Sequence, residues 1–306
     1  MKTQHFNFLH GTQLLVFVFG LILASSSIRA QDALLWQVTC NNCPDTSFIY
    51  GTIHVKDSRV YLYADTVLSC MKRCTRLALE LDFNPVNLLK LANLMTLPGD
   101  STLADIFDPA DMIQIKKVFE DITGTDFTSF EKLRPVVLLS VIMQFQTAGD
   151  TSYTLDEFLY RKGVNMNKEI VGLETVEEQF RLLESIPLDV IVKYLKNPYE
   201  EQEELELMVC YYTNSEIEPL LKLMKKDETM IALQDEFLDK RNIKMAEKTD
   251  SMFHEGPVLV AVGTGHLPGK NGIINLLRQR GFMVEPIFLK APVRSDCDSL
   301  NMKTLN

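Results

Sequence analysis

Several signatures are missing from this 306-residue chain, and each absence removes a class of function. There is no G-x-S-x-G nucleophile elbow and no H-E-x-x-H helix, which disfavours ordinary serine hydrolases and zincins. Basic residues do not cluster with interleaved aromatics, and the formal net charge is −10, so no nucleic-acid partner is expected. Long apolar runs are absent beyond residues 14–24, and that run falls short of the roughly 20 residues a membrane-spanning helix needs. Lys2, His5 and His10 precede it and S-S-S-I-R-A follows, the layout of a secretory signal peptide over residues 1–30, cleaved after Ala30. No cysteine directly follows the run, so no lipid anchor is expected either. Residues 31–306, free of low-complexity linkers, read as one α/β domain. The expectation is an exported protein, periplasmic or extracellular, with no stable membrane anchor after the leader is removed.

What is present begins with six cysteines, a number that fits an oxidising compartment. Cys40 and Cys43 form C-N-N-C, Cys70 and Cys74 form C-M-K-R-C, and Cys210 and Cys297 stand alone. Disulfides are the expected use, with pairing open. A four-thiolate zinc site built from the two close pairs is the sharper alternative. A thioredoxin-like motif is disfavoured because Cys40-Cys43 sits between two short strands rather than opening a helix.

The rest of the chain is arranged around residues 257–272, PVLVAVGTGHLPGKNG. The uninterrupted apolar run at 258–262 predicts a strand buried on both faces. It breaks at G-T-G, delivers His266 and restarts as the helical pattern IINLLRQR. Residues 48–54 repeat the arrangement: F-I-Y, then G-T-I, then His54. Glycine in that frame suggests a tight turn that needs no Cβ. Residues 34–38 and 48–53 predict a β-hairpin across an Asn/Pro/Asp-rich turn. Residues 76–82 predict a strand ending in Glu80 and Asp82, which period two places on one face, with Asp82 a possible helix N-cap before Pro85. A short strand at 168–174 ends in Glu174.

Between and after these strands the apolar spacing is helical, over residues 61–72, 85–95, 109–120, 135–145, 155–162, 175–183 and much of 188–254. Residues 135–143 are apolar all round and predict a buried helix, and 282–287 a last strand. The fold class that emerges is α/β. Its mixed central sheet is drawn from the N- and C-terminal parts, with two related Gly-x-x-His half-units and a large helical middle. Ligands in open α/β sheets gather where strands end, so His54, Glu80, Glu174 and His266 are candidates for one crevice.

Two histidines and two glutamates suit hydrolysis in two ways. Neutral imidazoles and carboxylates can hold a divalent metal that acidifies a water. Alternatively one histidine acts as general base, a glutamate fixes its tautomer, and the other histidine or Arg241 stabilises an oxyanion. A third reading, from another class, is an exported binding protein that holds haem, metal or a glycan without turnover.

FIYGTIHV, LALELD, VGLETVEEQ, DKRN and VAVGTGHLPG, in this order, resemble the Tiki/TraB/GumN family over residues 34–286. That family is similar in fold to erythromycin esterase and the ChaN-like proteins. Its animal Tiki members act as metal-dependent proteases that use manganese or cobalt. The resemblance implies a hydrolase, with His54, Glu80 and His266 as catalytic residues and metal ligands, and Glu174 and Arg241 nearby. It implies manganese or cobalt as the ion, zinc remaining an alternative, and a peptide or a small ester or glycan as substrate. The C-N-N-C turn stands outside the family pattern.

Overall fold

The computed structural model describes residues 33–146, 153–198, 200–224, 235–289 and Cys297. The expected leader and most of the polar tail lie outside them, as does part of the helical span expected over 188–254. Six strands form one sheet: β1 (Leu35–Thr39), β2 (Ser47–Thr52), β3 (Arg76–Leu79), β4 (Glu169–Gly172), β5 (Val258–Gly263) and β6 (Met283–Ile287). Their spatial order is β4-β3-β5-β2-β1-β6. β4, β3, β5 and β2 are mutually parallel, and β1 runs antiparallel to both β2 and β6. The predicted hairpin is β1–β2, with Leu35 opposite Tyr50.

This topology positions the chemistry. Four parallel neighbours must present their carboxyl ends along one edge of the sheet, and these are the strands that run into His54, Glu80, Glu174 and His266. β5 lies between β3 and β2, so the late histidine motif is inserted between the early one and Glu80. Backbone pairing continues past the strand ends, where Glu174 N–H donates to the Glu80 carbonyl at 2.9 Å.

Eleven α-helices occur among the described residues: α1 (Ala64–Arg73), α2 (Pro85–Leu94), α3 (Pro109–Thr123), α4 (Pro135–Gln146), α5 (Leu155–Asn165), α6 (Val176–Glu184), α7 (Leu188–Lys196), α8 (Glu200–Thr213), α9 (Ile217–Met224), α10 (Lys240–Glu255) and α11 (Ile273–Gln279). Their ends follow local chemistry. Asn84 caps α2 ahead of Pro85, Thr175 and Glu178 form a capping box on α6, and Gly124 closes α3 at φ 62°. Asp82 is therefore not the cap. It braces the cap, accepting from Asn84 N–H and Nδ2.

The sheet buries both faces, as its unbroken apolar run requires. On one face Phe48, Tyr50, Leu77, Leu79 and Leu259 pack on α1, α5, α8 and α9; on the other Ile49, Ala78, Val258, Val260 and Val262 pack on α10 and α11. A third core joins α3, α4 and α7. In α4, Leu138 and Ile142 are buried there, but Met143 and Phe145 are exposed. The expectation of a helix buried all round is corrected: apolar composition ran past the one face that has a partner.

The cysteine expectations divide. Cys40–Cys43 and Cys210–Cys297 are disulfides, while Cys70 and Cys74 are free, buried thiols. The four-thiolate site is thereby ruled out. Cys40 and Cys43 are bonded to each other, and the Cys74 thiol turns to the Cys70 carbonyl at 3.4 Å within α1's own last turn. Burial pushes the Cys74 thiol up to about 12, which makes it inert as a nucleophile.

Candidate active site

The two glycines that open the histidine motifs are there for space. Neither Gly51 nor Gly263 lies in the left-handed region, so neither marks the unusual turn that the sequence suggested. A Cβ on Gly51 would fall 2.8 Å from Leu267 Cδ1 and 2.9 Å from Thr264 Oγ1. One on Gly263 would fall 3.2 Å from Glu80 Oε1, 3.7 Å from His266 Cδ2 and 4.0 Å from His54 Nε2. The second figure set locates the centre: both imidazoles and the carboxylate of Glu80 converge on the bare backbone of Gly263. The threonines lock the motifs together. Thr264 Oγ1 donates to the Thr52 carbonyl at 2.8 Å, and Thr52 Oγ1 donates to Asp156 Oδ1 at 2.7 Å.

Glu80 is the hub. Its Oε1 accepts the Gly263 N–H at 2.7 Å and lies 3.6 Å from His266 Nε2. Its Oε2 accepts from Arg241 Nη2 at 2.8 Å and from Gln179 Nε2 at 3.1 Å. Arg241 also grips Glu174 in a fork, Nε to Oε1 at 2.7 Å and Nη2 to Oε2 at 2.6 Å. Its remaining Nη1 donates to the Phe237 carbonyl in the π-turn Asp235–Asp239 that leads into α10. Burial alone would raise the Glu80 pKa. The imidazoles, the Arg241 guanidinium and the Gly263 N–H reverse that and hold it at about 2, so Glu80 is a carboxylate at any physiological pH.

Each histidine is oriented by a group on a helix. His266 Nδ1 lies 2.6 Å from Asn242 Oδ1. The Asn242 Nδ2 donates to the Asn271 carbonyl at 2.9 Å, which fixes Oδ1 as the acceptor and puts the His266 proton on Nδ1. Burial lowers the His266 pKa, with Glu80 opposing in part, so the ring is neutral and presents an Nε2 lone pair to Glu80. His54 Nδ1 lies 2.8 Å from Asp156 Oδ2. No well-aligned hydrogen bond reaches that oxygen. A deprotonated nitrogen at this distance from a carboxylate would be repelled, so Nδ1 carries the proton and Nε2 faces the centre.

Asp156, buried in the first turn of α5, raises the His54 pKa to about 9. The His54 ring is 59% exposed, and water at its open edge screens part of that attraction.

The structure brings together the residues singled out from the sequence: His54, Glu80, His266, Glu174 and Arg241. Sequence reasoning missed Asp156, Asn242 and Gln179. Asp156 stands in T-L-D-E, which reads as ordinary first-turn acid behind a Thr cap. Asn242 and Gln179 are the last residues of the quoted D-K-R-N and V-E-E-Q strings, and that membership was the only signal.

A divalent ion fits this donor set. Both imidazoles have Nδ1 engaged by a helix residue, the outer arrangement common to metal-bound histidines; His266 offers its Nε2 lone pair as it stands, and His54 offers its own once an ion displaces the Nε2 proton. Glu80 and Glu174, two carboxylates, share the one Arg241 guanidinium, so the fixed charge there favours an added cation. The donor atoms of His54, Glu80 and His266 do not all lie within 4.8 Å of one another. Glu80 Oε1 and His266 Nε2 are 3.6 Å apart.

The TraB/PrgY/gumN family model matches residues 34–286. The chain belongs to that family. Metalloprotease TIKI2 of Danio rerio is 22% identical, aligned over 92% of this chain and 66% of its own length. Metalloprotease TIKI2 of Xenopus tropicalis is 23% identical over 83% of this chain and 60% of its own, and Metalloprotease TIKI1 of Homo sapiens 22% identical over 78% and 59%. This member of the family thus spans about three-fifths to two-thirds of the length of those relatives. No solved structure gives a significant match. No helix among the described residues is long and apolar enough to cross a membrane.

Proposed function

We propose that this chain is a metal-dependent hydrolase, a peptidase by analogy with its named relatives, acting outside the cytoplasm on a peptide or a small ester or glycan. The observation that carries the reading is the convergence on Gly263 of two imidazoles, each oriented from behind by Asp156 or Asn242, together with the carboxylate of Glu80. His54, Glu80 and His266 would hold the ion, manganese or cobalt by family analogy, and the ion would supply a water of lowered pKa beside a polarised carbonyl. Glu80 stays ionised through the reaction because Arg241 and the Gly263 N–H hold it so. Asp156 and Asn242 keep both imidazoles in the tautomer that presents Nε2. Arg241, clamped between two carboxylates, keeps Glu80 from swinging away. His54, at the exposed side, is placed to accept or return a proton as the substrate enters. The two disulfides and the expected leader support an exported location.

Chelation tests this reading. With a peptide and ester substrate panel, a strong chelator is expected to lower turnover by ~10²-fold or more, and manganese or cobalt to restore it. Turnover that survives exhaustive chelation sinks the metal-dependent reading. It would favour a metal-free hydrolase in which His54 with Asp156 acts as base. That second reading rests on the Arg241 cation already lying at Glu80 and on the wide spacing of the three donor atoms.

A further inference from the structure

The C-N-N-C turn takes no part in that centre. It closes the hairpin between β1 and β2, where Cys40 and Cys43 are disulfide-bonded and Cys43 N–H donates to the Cys40 carbonyl at 3.3 Å. β1 runs antiparallel to its neighbour, so this turn lies at the opposite edge of the sheet from His54. α10 connects the two edges. Arg241 stands at its start and His254 near its end, on the order of 20 Å further along at 1.5 Å per residue. There His254 Nε2 lies 3.9 Å from Cys40 Sγ.

The two sulfurs and this nitrogen lie within 4.8 Å of one another, a property of no other such trio among the described residues. His254 is held in that orientation. Its Nδ1 lies 2.9 Å from the Asp250 carbonyl and 3.3 Å from Asp250 Oδ1, both acceptors, so Nδ1 carries the proton and Nε2 offers a lone pair to the sulfurs. Phe282 packs edge-on against the ring at 5.5 Å between centroids. An acceptor behind an imidazole whose other nitrogen faces two sulfurs is the support a metal-bound histidine uses.

We propose that Cys40, Cys43 and His254 form a thiol-gated site for a zinc-class divalent ion, open to binding when the disulfide is reduced and closed when it is formed. A dithiol supplies the two electrons. Its thiolate attacks Cys43 Sγ and expels Cys40 as a thiolate beside His254. The second thiol of the reductant then resolves the mixed disulfide, leaving the reductant oxidised and Cys43 reduced. The ion binds both thiolates and His254 Nε2, the thiol protons pass to water, and the fourth position is left to water or an outside ligand. Tetrahedral zinc bonds of about 2.3 Å to sulfur and 2.0–2.1 Å to nitrogen set S···N near 3.5 Å and S···S near 3.8 Å. The observed sulfur–nitrogen approach is already close to that. Only the sulfurs must part, and C-x-x-C is a spacing that lets one turn supply both.

Cobalt(II) is the probe, titrated into the full chain before and after reduction by a phosphine. The reduced protein is expected to gain thiolate-to-cobalt charge-transfer absorption that the oxidised protein lacks, and His254→Ala to weaken the binding at least tenfold. Reduction also reaches Cys210–Cys297, so a second variant avoids it. Cys43→His cannot form the disulfide and is expected to bind cobalt through Cys40 with no reductant present, an affinity that adding His254→Ala removes. The proposal is overturned if reduced wild type shows no such absorption, if Cys43→Ser keeps it, or if Cys43→His binds cobalt no better than the oxidised wild type. None of these outcomes touches the hydrolytic centre, which the cobalt spectrum of the oxidised protein reports without thiolate bands.

Discussion

Replacing His266 with alanine is expected to lower hydrolytic turnover by ~10³-fold or more while the protein stays folded, within the range a positioned acid–base or metal-holding group supplies. His266 is buried at the end of β5, its Nδ1 committed to Asn242 and its Nε2 to the carboxylate of Glu80. A histidine needed only for packing would not be given a fixed tautomer that aims a lone pair at a second acceptor. That pairing is unfavourable unless a proton or a metal ion lies between them. The structural cost of the substitution is smaller. Asn242 Oδ1 loses its donor, worth about 1–3 kcal/mol for a buried acceptor. A domain with a stability of about 5–15 kcal/mol survives that. Steady-state kinetics beside a thermal melt separates the two effects, and loss of activity only in proportion to lost fold would contradict the assignment.

Arg241→Ala is expected to act the other way, with stability as the larger effect. Among the described residues the guanidinium is the only cation bonded to Glu80 or Glu174, whose side chains are 9% and 7% exposed. Removing one partner of a buried pair leaves uncompensated charge and costs about 3–5 kcal/mol. For a chain of this size that lowers Tm by on the order of 10 °C. An exposed pair such as Arg59–Asp57 contributes about 0–1 kcal/mol by comparison. The pH dependence carries a sign. Glu80 has its pKa depressed from 4.5 to about 2, so its ionic pairing stabilises the fold above pH 4.5 and that contribution fades as pH falls toward 2. The gap in Tm between wild type and Arg241→Ala is therefore largest at neutral pH and narrows in acid. Arg241→Lys recovers only part of it, because an ammonium cannot make the fork that holds Glu174 while also reaching Glu80. Equal melting of wild type and Arg241→Ala at neutral pH would show that the carboxylates are held apart by something else.

Much of this centre was legible before any coordinates, for a reason rooted in topology. Parallel strands bring their carboxyl ends to one edge, so a residue that follows an apolar run can be placed without knowing strand order. His54, Glu80, Glu174 and His266 all satisfy that condition. The residues that orient them do not. Asp156, Asn242 and Gln179 come from helices, where a polar residue facing the sheet edge has the same local pattern as one facing water. His254 shows the same blindness: at the end of amphipathic α10 it reads as solvated surface, and only the register of α10 against the hairpin brings it to Cys40. The glycines were legible as necessary but not for the right reason. Their dihedrals are ordinary, and the requirement for a bare Cα at Gly51 and Gly263 comes from side chains just past the strand ends: Thr264 and Leu267 at Gly51, and Glu80, His54 and His266 at Gly263. Helical spacing in α4 predicted the element but not which face has a partner, so Met143 was assigned to a core it does not reach.

The central claim is that His54, Glu80 and His266, delivered by three adjacent parallel strands, work as one cation-binding centre. Calorimetric titration of manganese or cobalt into the oxidised protein tests it most directly, since the Cys40–Cys43 disulfide is then closed to metal. The account predicts saturable binding that tightens as pH rises toward about 9, where His54 gives up its proton, and that is lost in His266→Ala. Binding that is absent in wild type, or unchanged by His266→Ala, would contradict it.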